Sequence, residues 1–189
     1  MNGRILVVSY SEKSKALIQT ILKDMFLSEL SFVSSGTEAR RIINQSKFDV
    51  AIINSPLKDE NGIDISIHLM QNYDIPTILL CKNENADIVS HNAQKYGVIV
   101  LKKPFEKEQL LNSVRIALGF SQKLFNMQKK FALQEKKLND TKIIYHAKCL
   151  LIEKEKLSEN EAHKYIEKIA MDRRESKANI ASIIAKKYI

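Results

Sequence analysis

All five glycines and all three prolines of this 189-residue chain fall within its first 119 residues. From Phe120 onward no residue frees or blocks the backbone in the way those two types do. The chain therefore reads as a punctuated front and an uninterrupted tail, and each must fold by a different rule.

In the front, short β-rich runs alternate with longer amphipathic stretches. Ile5 to Val8 reads as a buried strand, and Ser11 to Phe26 as a helix. Leu30 to Val33 is a second strand, and Thr37 to Gln45 a helix entered from the Ser35-Gly36 turn. Val50 to Ile53 and Ile75 to Leu80 are the third and fourth strands, with a helix from Ile63 to Asn72 between them. Ala86 to Tyr96 is a helix, Val98 to Leu101 the fifth strand, and Glu106 to Gly119 the last helix of this part. Five β-α units in some 120 residues predict an α/β fold, a doubly wound five-stranded parallel sheet. Such sheets bind ligands at the C-terminal strand ends. Here those ends carry Ser9-Tyr10, Asn54, Cys81 and Lys102-Lys103.

The tail should be all helical. Leu124, Phe131, Leu138 and Tyr145 recur every seven residues, Met127 takes the intermediate seam position, and Gln134 and Thr141 make the other layers polar. A dimeric coiled coil accounts for this spacing, and a single amphipathic helix packed on its own domain is the alternative. Ser158 and Glu161 have capping-box spacing, marking a break after Leu157 and a new helix that carries Ala162, Tyr165, Ile166, Ile169 and Ala170. Ser176 caps a last short helix with Ile180, Ile183 and Ile184. The expected organisation is residues 1–120, a coiled-coil linker helix over 121–137, and a three-helix module over 138–189.

Charge follows the same division. Residues 1–120 hold 14 Lys+Arg against 13 Asp+Glu, and residues 121–189 hold 16 against 9, so the net charge of +8 is +1 in front and +7 behind. A neutral front and a basic tail point to a polyanionic partner for the tail. The hydrophobic content of 44% is enough for packed cores and argues against disorder. Cys81 and Cys149 show no metal-ligand spacing and read as reduced thiols of a cytoplasmic protein. Met1-Asn2-Gly3-Arg4 leads into only a short apolar stretch, so no signal peptide is expected. No run approaches the roughly 20 apolar residues of a membrane span. His68 and His91 stand alone on expected helices, no catalytic grouping is visible, and neither a cofactor nor a resident metal is expected.

The run Asp49-Val-Ala-Ile-Ile-Asn54, followed by Asn61-Gly62, resembles the receiver domains of bacterial response regulators. By that resemblance the phospho-accepting aspartate falls on Asn54, and the acidic pair that holds Mg²⁺ falls on Ser9 and Tyr10. The hydroxyl residue ending the fourth strand falls on Cys81, the switch aromatic on Val100, and the lysine is kept as Lys103 before Pro104. An amide is a poor nucleophile and a weak ligand for a hard cation. The resemblance therefore implies a pseudo-receiver, with the receiver fold and without its phosphoryl chemistry. Lys103 is left to hydrogen-bond Asn54, to bind an anion, or to fill the strand-end pocket.

The stretch from Leu138 onward resembles an ANTAR domain, the RNA-binding three-helix module of bacterial transcription antiterminators. The likeness rests on Ile144-Tyr-His-Ala147-Lys148, Leu157 to Ala162, Ala170 to Arg174, and Ile180 to Ile184. Cys149 stands where the family usually has glycine, and Thr141 where arginine is common. The RNA-binding set implied is Lys142, Ala147, Lys148, Arg173, Arg174, Ser176 and Lys177, with Ala162, Ala170 and Met171 as core. Guanidiniums suit RNA because they bind phosphate bidentately and stack on unpaired bases. The resemblance implies a homodimer on paired stem-loops in mRNA leaders, joined through Leu124, Met127, Phe131 and Leu138. A regulatory protein docking on the pseudo-receiver is a further expected partner. The competing reading is a protein-interaction adaptor that uses both parts as docking surfaces.

Overall fold

The computed structural model describes residues 3–23, 25, 29–82 and 93–188. Its N-terminal unit, Met1–Asn126, and its C-terminal unit, Met127–Ile189, are separately compact. In the first, β1 (Arg4–Ser9), β2 (Glu29–Val33), β3 (Val50–Asn54), β4 (Thr77–Lys82) and β5 (Ile99–Lys103) form one sheet in the order β2-β1-β3-β4-β5. All four pairings are parallel. The expected doubly wound sheet is the one found, with strand ends shifted by one or two residues.

Alternation along each strand builds two cores. Ile5, Val7, Ile52, Ile78 and Leu80 pack on one face with Ile18 and Leu22 of α1 (Glu12–Leu22) and with Leu110, Val114 and Ala117. Leu6, Val8, Ile53 and Leu79 pack on the other with Ala39 and Ile43 of α2 (Gly36–Ile43), and with Ile65 and Leu69 of α3 (Ile63–Tyr73). Strands covered on both faces read as unbroken apolar runs, which is why β1 and β3 were visible in the sequence. Each large side chain so buried contributes about 1.5–3 kcal/mol of transfer free energy.

The turn after β3 depends on its glycine. Gly62 has φ 87° at the start of α3, and a Cβ there would lie 2.9 Å from Ile53 Cγ2. A left-handed backbone beside a packed strand leaves no other residue type unstrained. Asp59 in the same loop accepts from the backbone N–H groups of Gly36 and Thr37 at 2.9 and 3.0 Å and from Thr37 Oγ1 at 2.8 Å. The loop is thus tied to the α2 N-terminus, and these bonds hold the Asp59 carboxyl at about 2, below its ordinary 3.8.

The helix expected over 86–96, with His91, lies largely outside the described residues. The two helices expected to meet at Gly119 are instead one, α4 (Lys107–Glu155), of 49 residues. Gly119 has no atom within 4 Å of where its Cβ would be, so nothing but its own propensity opposes the helix. That propensity costs only about 1 kcal/mol relative to alanine, too little to stop a helix flanked by good formers.

In the C-terminal unit the last turns of α4 pack with α5 (Glu159–Arg173) and α6 (Lys177–Lys187). Ala147, Leu151, Ala162, Ile166, Ala170, Ile180, Ala181 and Ile184 form its core. The capping box is complete: Glu161 N–H donates to Ser158 Oγ, and Ser158 N–H donates to the Glu161 carboxylate at 2.8 Å. Ser176 Oγ accepts from Asn179 N–H at 3.2 Å to start α6.

Candidate nucleic-acid interface and strand-end pocket

At the C-terminal ends of β1 and β3, Ser9 lies opposite Asn54 in the parallel register. Both are buried, and Asn54 Nδ2 donates to Ser9 Oγ at 2.9 Å. Tyr10 turns outward at 60% exposure. No carboxylate comes from the two positions where a receiver would hold Mg²⁺, and no group of three or more His, Cys, Asp or Glu among the described residues could hold a metal. Lys103 donates to the Ser55 carbonyl at 2.6 Å rather than to Asn54. Burial holds its pKa below the ordinary lysine value. Cys81 is buried on β4, and desolvation raises its thiol pKa despite Lys103 and Lys102 nearby, which disfavours the thiolate form. A cavity of about 260 Å³ opens here between Ser14, Leu17, Ile18, Asn54, Leu80, Lys103, Pro104 and Phe105. Of the five positions expected in the pocket, Asn54 and Lys103 line it, and Ser9 supports Asn54 from behind.

The C-terminal unit sorts the seven expected RNA residues by environment. Ala147 is fully buried among Leu151, Ala162 and Ile166, so it belongs to the core and its side chain cannot reach a ligand. Met171, expected in the core, is instead 73% exposed. It sits one residue past Ala170 near the end of α5, where the helical period turns it to solvent. Lys148 donates to Glu159 at 2.8 Å and Lys177 to Glu167 at 2.6 Å, so both cations are already matched within the unit. Lys142, Arg173 and Arg174 are exposed and form no ion pair among the described residues. Arg174 also closes α5 in the left-handed conformation, φ 54°, with its N–H on the carbonyls of Ala170 and Met171.

Lys142 has company that sequence reading missed. It lines a shallow groove between α4 and α6 together with Ile143, His146, Ser182, Ala185 and Lys186. The i, i+4 spacing of Lys142 and His146 signals a shared helix face, but their adjacency to Lys186 comes only from packing. The seam residues Met127, Phe131 and Leu138 are all exposed, at 43%, 62% and 58%. Phe125 and Leu133, exposed as well, fall off the seven-residue seam.

Residues 5–115 match the response regulator receiver domain family, and residues 134–184 match the ANTAR domain. The chain belongs to the receiver family and carries an ANTAR output domain. The transcriptional regulatory protein PdtaR of Mycobacterium tuberculosis is 24% identical over 176 residues, covering 91% of this chain and 86% of that protein. Solved receiver structures share the fold. A putative response regulator from Chloroflexus aurantiacus has 22% identity and a TM-score of 0.55, covering 63% of this chain and 99% of its own. The signal receiver domain of a putative LuxO repressor protein from Vibrio parahaemolyticus has 24% identity and a TM-score of 0.59, covering 67% and 97%. The receiver domain of a sensor histidine kinase from Pseudomonas aeruginosa, at 21% identity and TM-score 0.53 over 63% and 99%, carries a magnesium ion in its cleft. The ANTAR match makes this response regulator a transcription regulator of the RNA-binding antitermination type. No helix among the described residues is long and apolar enough to cross a membrane.

Proposed function

We propose that this ANTAR response regulator acts in the cytoplasm as a homodimer on paired stem-loops in mRNA leaders, and that aspartate phosphorylation does not control it. The observation that carries the RNA reading is the pair Arg173 and Arg174, exposed at the end of α5 and without ion-pair partners among the described residues. Two guanidiniums with no internal carboxylate to satisfy have their full donor set for phosphates and unpaired bases. Lys142, with His146 and Lys186 beside it, extends the basic surface onto α4 and α6. Lys148, Ser176 and Lys177 serve the module's own geometry first.

The dimer rests on Leu124, Met127, Phe131 and Leu138, an apolar seam on a helix that is otherwise exposed over residues 125–139. Polar layers at Gln134 and Thr141 weaken such a coil and make it easier to regulate. Independence from phosphorylation rests on Asn54, Ser9 and Tyr10, which supply neither nucleophile nor metal ligands. Control then passes to the dimer equilibrium or to a protein docking on the pseudo-receiver. The protein binds and does not catalyse.

Filter binding of a two-hairpin leader RNA across a salt series tests this. The affinity should fall with salt along a linear log–log slope, and Arg173→Ala with Arg174→Ala should reduce that slope and the affinity together. A salt-independent or unchanged affinity in the double variant would move the RNA face elsewhere or favour an adaptor.

A further inference from the structure

The cavity beside Asn54 and Lys103 has about 260 Å³ and two kinds of wall. Leu17, Ile18, Leu80 and Phe105 supply its apolar lining, while Lys103, Asn54 and Ser14 supply the polar groups. Lys103 spends one of its three ammonium protons on the Ser55 carbonyl and pairs with no carboxylate among the described residues. Asn54 directs one of its two amide protons to Ser9 Oγ and has no other side-chain hydrogen bond among the described residues. A half-buried cation with spare donors and no counter-charge is unfavourable as it stands, and an anion beside it removes that penalty.

The charge of the pocket selects the anion. Lys103 is the one cation among the described residues lining the cavity, and Lys82 acts on it only from outside that lining. Direct contact therefore neutralises a monoanion, whereas a dianionic phosphoryl group would have a single ammonium in contact and no acidic pair at Ser9 and Tyr10 to bring in a divalent cation. The walls select what the anion carries, since an apolar lining favours a tail over a second polar group. We propose that the cavity is a binding site for a small organic carboxylate with a short apolar tail. The carboxylate sits against Lys103 Nζ and the free Asn54 amide proton, and the tail lies along Leu17, Ile18, Leu80 and Phe105. Binding there does not depend on the RNA function of the other unit.

Titration of the full-length ¹⁵N-labelled chain with sodium butyrate and sodium benzoate, observed by ¹⁵N–¹H correlation spectra, tests the site. Acetate and inorganic phosphate are the comparators. Butyrate or benzoate should give saturable shifts of the Asn54 side-chain amide and of the Leu17 and Phe105 backbone amides. Acetate, without a tail, and phosphate should bind at least about tenfold more weakly. Lys103→Met should weaken binding by about tenfold or more, losing a charge-assisted contact. Asn54→Asp places a competing carboxylate in the cavity and should abolish the shifts, which keeps the test decisive if Lys103→Met does not fold. Lys13→Met, exposed on α1, should bind as the parent does. Three results overturn the proposal: no saturable shift with either tailed carboxylate, phosphate binding as tightly as benzoate, or undiminished binding in both pocket variants.

Discussion

Where β1 and β3 end, a serine and an asparagine hydrogen-bond each other at 2.9 Å, and the groups that a receiver presents to Mg²⁺ and phosphate are turned inward or absent. Where α5 ends, two arginines stand exposed, their guanidiniums in no ion pair among the described residues. Both places belong to well-packed units, so packing does not separate them. What separates them is whether the polar groups have been satisfied within the chain. Ser9 and Asn54 hydrogen-bond each other and present neither a nucleophile nor a metal ligand, while Arg173 and Arg174 form no ion pair among the described residues and keep their guanidinium donors for an outside partner.

The largest effect should come from breaking the seam that, in the proposed dimer, makes the open surface bivalent. Phe131→Glu puts a charge into an apolar layer and should turn dimer into monomer in sedimentation equilibrium. Affinity for a two-hairpin RNA should fall by about 10²–10⁴-fold, with single-hairpin affinity unchanged. Next, Arg174→Gly separates the charge of that residue from its backbone role. Glycine accepts the φ of 54° without strain, so the melting temperature should hold or rise, while RNA affinity drops by about tenfold. Affinity that follows stability instead would make Arg174 a structural cap only.

Ser158→Ala removes half of a complete capping box and should cost the C-terminal unit about 1 kcal/mol, read as a lower denaturation midpoint, while folded protein binds RNA as before. The smallest effect belongs to Asp59 in the N-terminal unit. Its folded pKa of about 2 lies below the ordinary 3.8, so the folded state favours the charged form. The stability it adds is therefore fully present above the ordinary value and lost as pH falls from 3.8 toward 2. Asp59→Asn should be less stable than the parent at neutral pH, with the gap closing as pH falls through about 2, by denaturant titration. Because Asp59 is exposed, added salt should shrink the difference.

Much of this was legible in the sequence, and the misses share a cause. Apolar runs flanked by turn residues located the strands, most sharply β1, β3 and β4, where burial on both faces leaves almost no polar position to blur the pattern; β2 and β5 are only partly buried and carry polar residues. Ser158, Ser176 and Asn61-Gly62 marked their turns because caps and left-handed backbone are local properties. Gly119 misled, since a lone glycine weakens a helix without ending it. Ala147 and Met171 exchanged roles because family likeness shows which residue types recur, while only the helix phase shows which way they point. The pairing of Lys148 with Glu159 and of Lys177 with Glu167 joins residues 11 and 10 apart across turns, beyond any helical spacing. The groove of Lys142, His146 and Lys186 is likewise a product of packing, as is the cavity that Asn54 and Lys103 share.

The proposed regulator keeps an RNA output that is uncoupled from phosphorylation. Its most direct test uses one sample of the full-length protein, incubated with acetyl phosphate and Mg²⁺ and then divided between intact-mass measurement and titration with two-hairpin leader RNA. The mass should be unchanged, and the affinity should equal that of the untreated protein. A stable phospho-adduct accompanied by a changed RNA affinity would contradict the uncoupling.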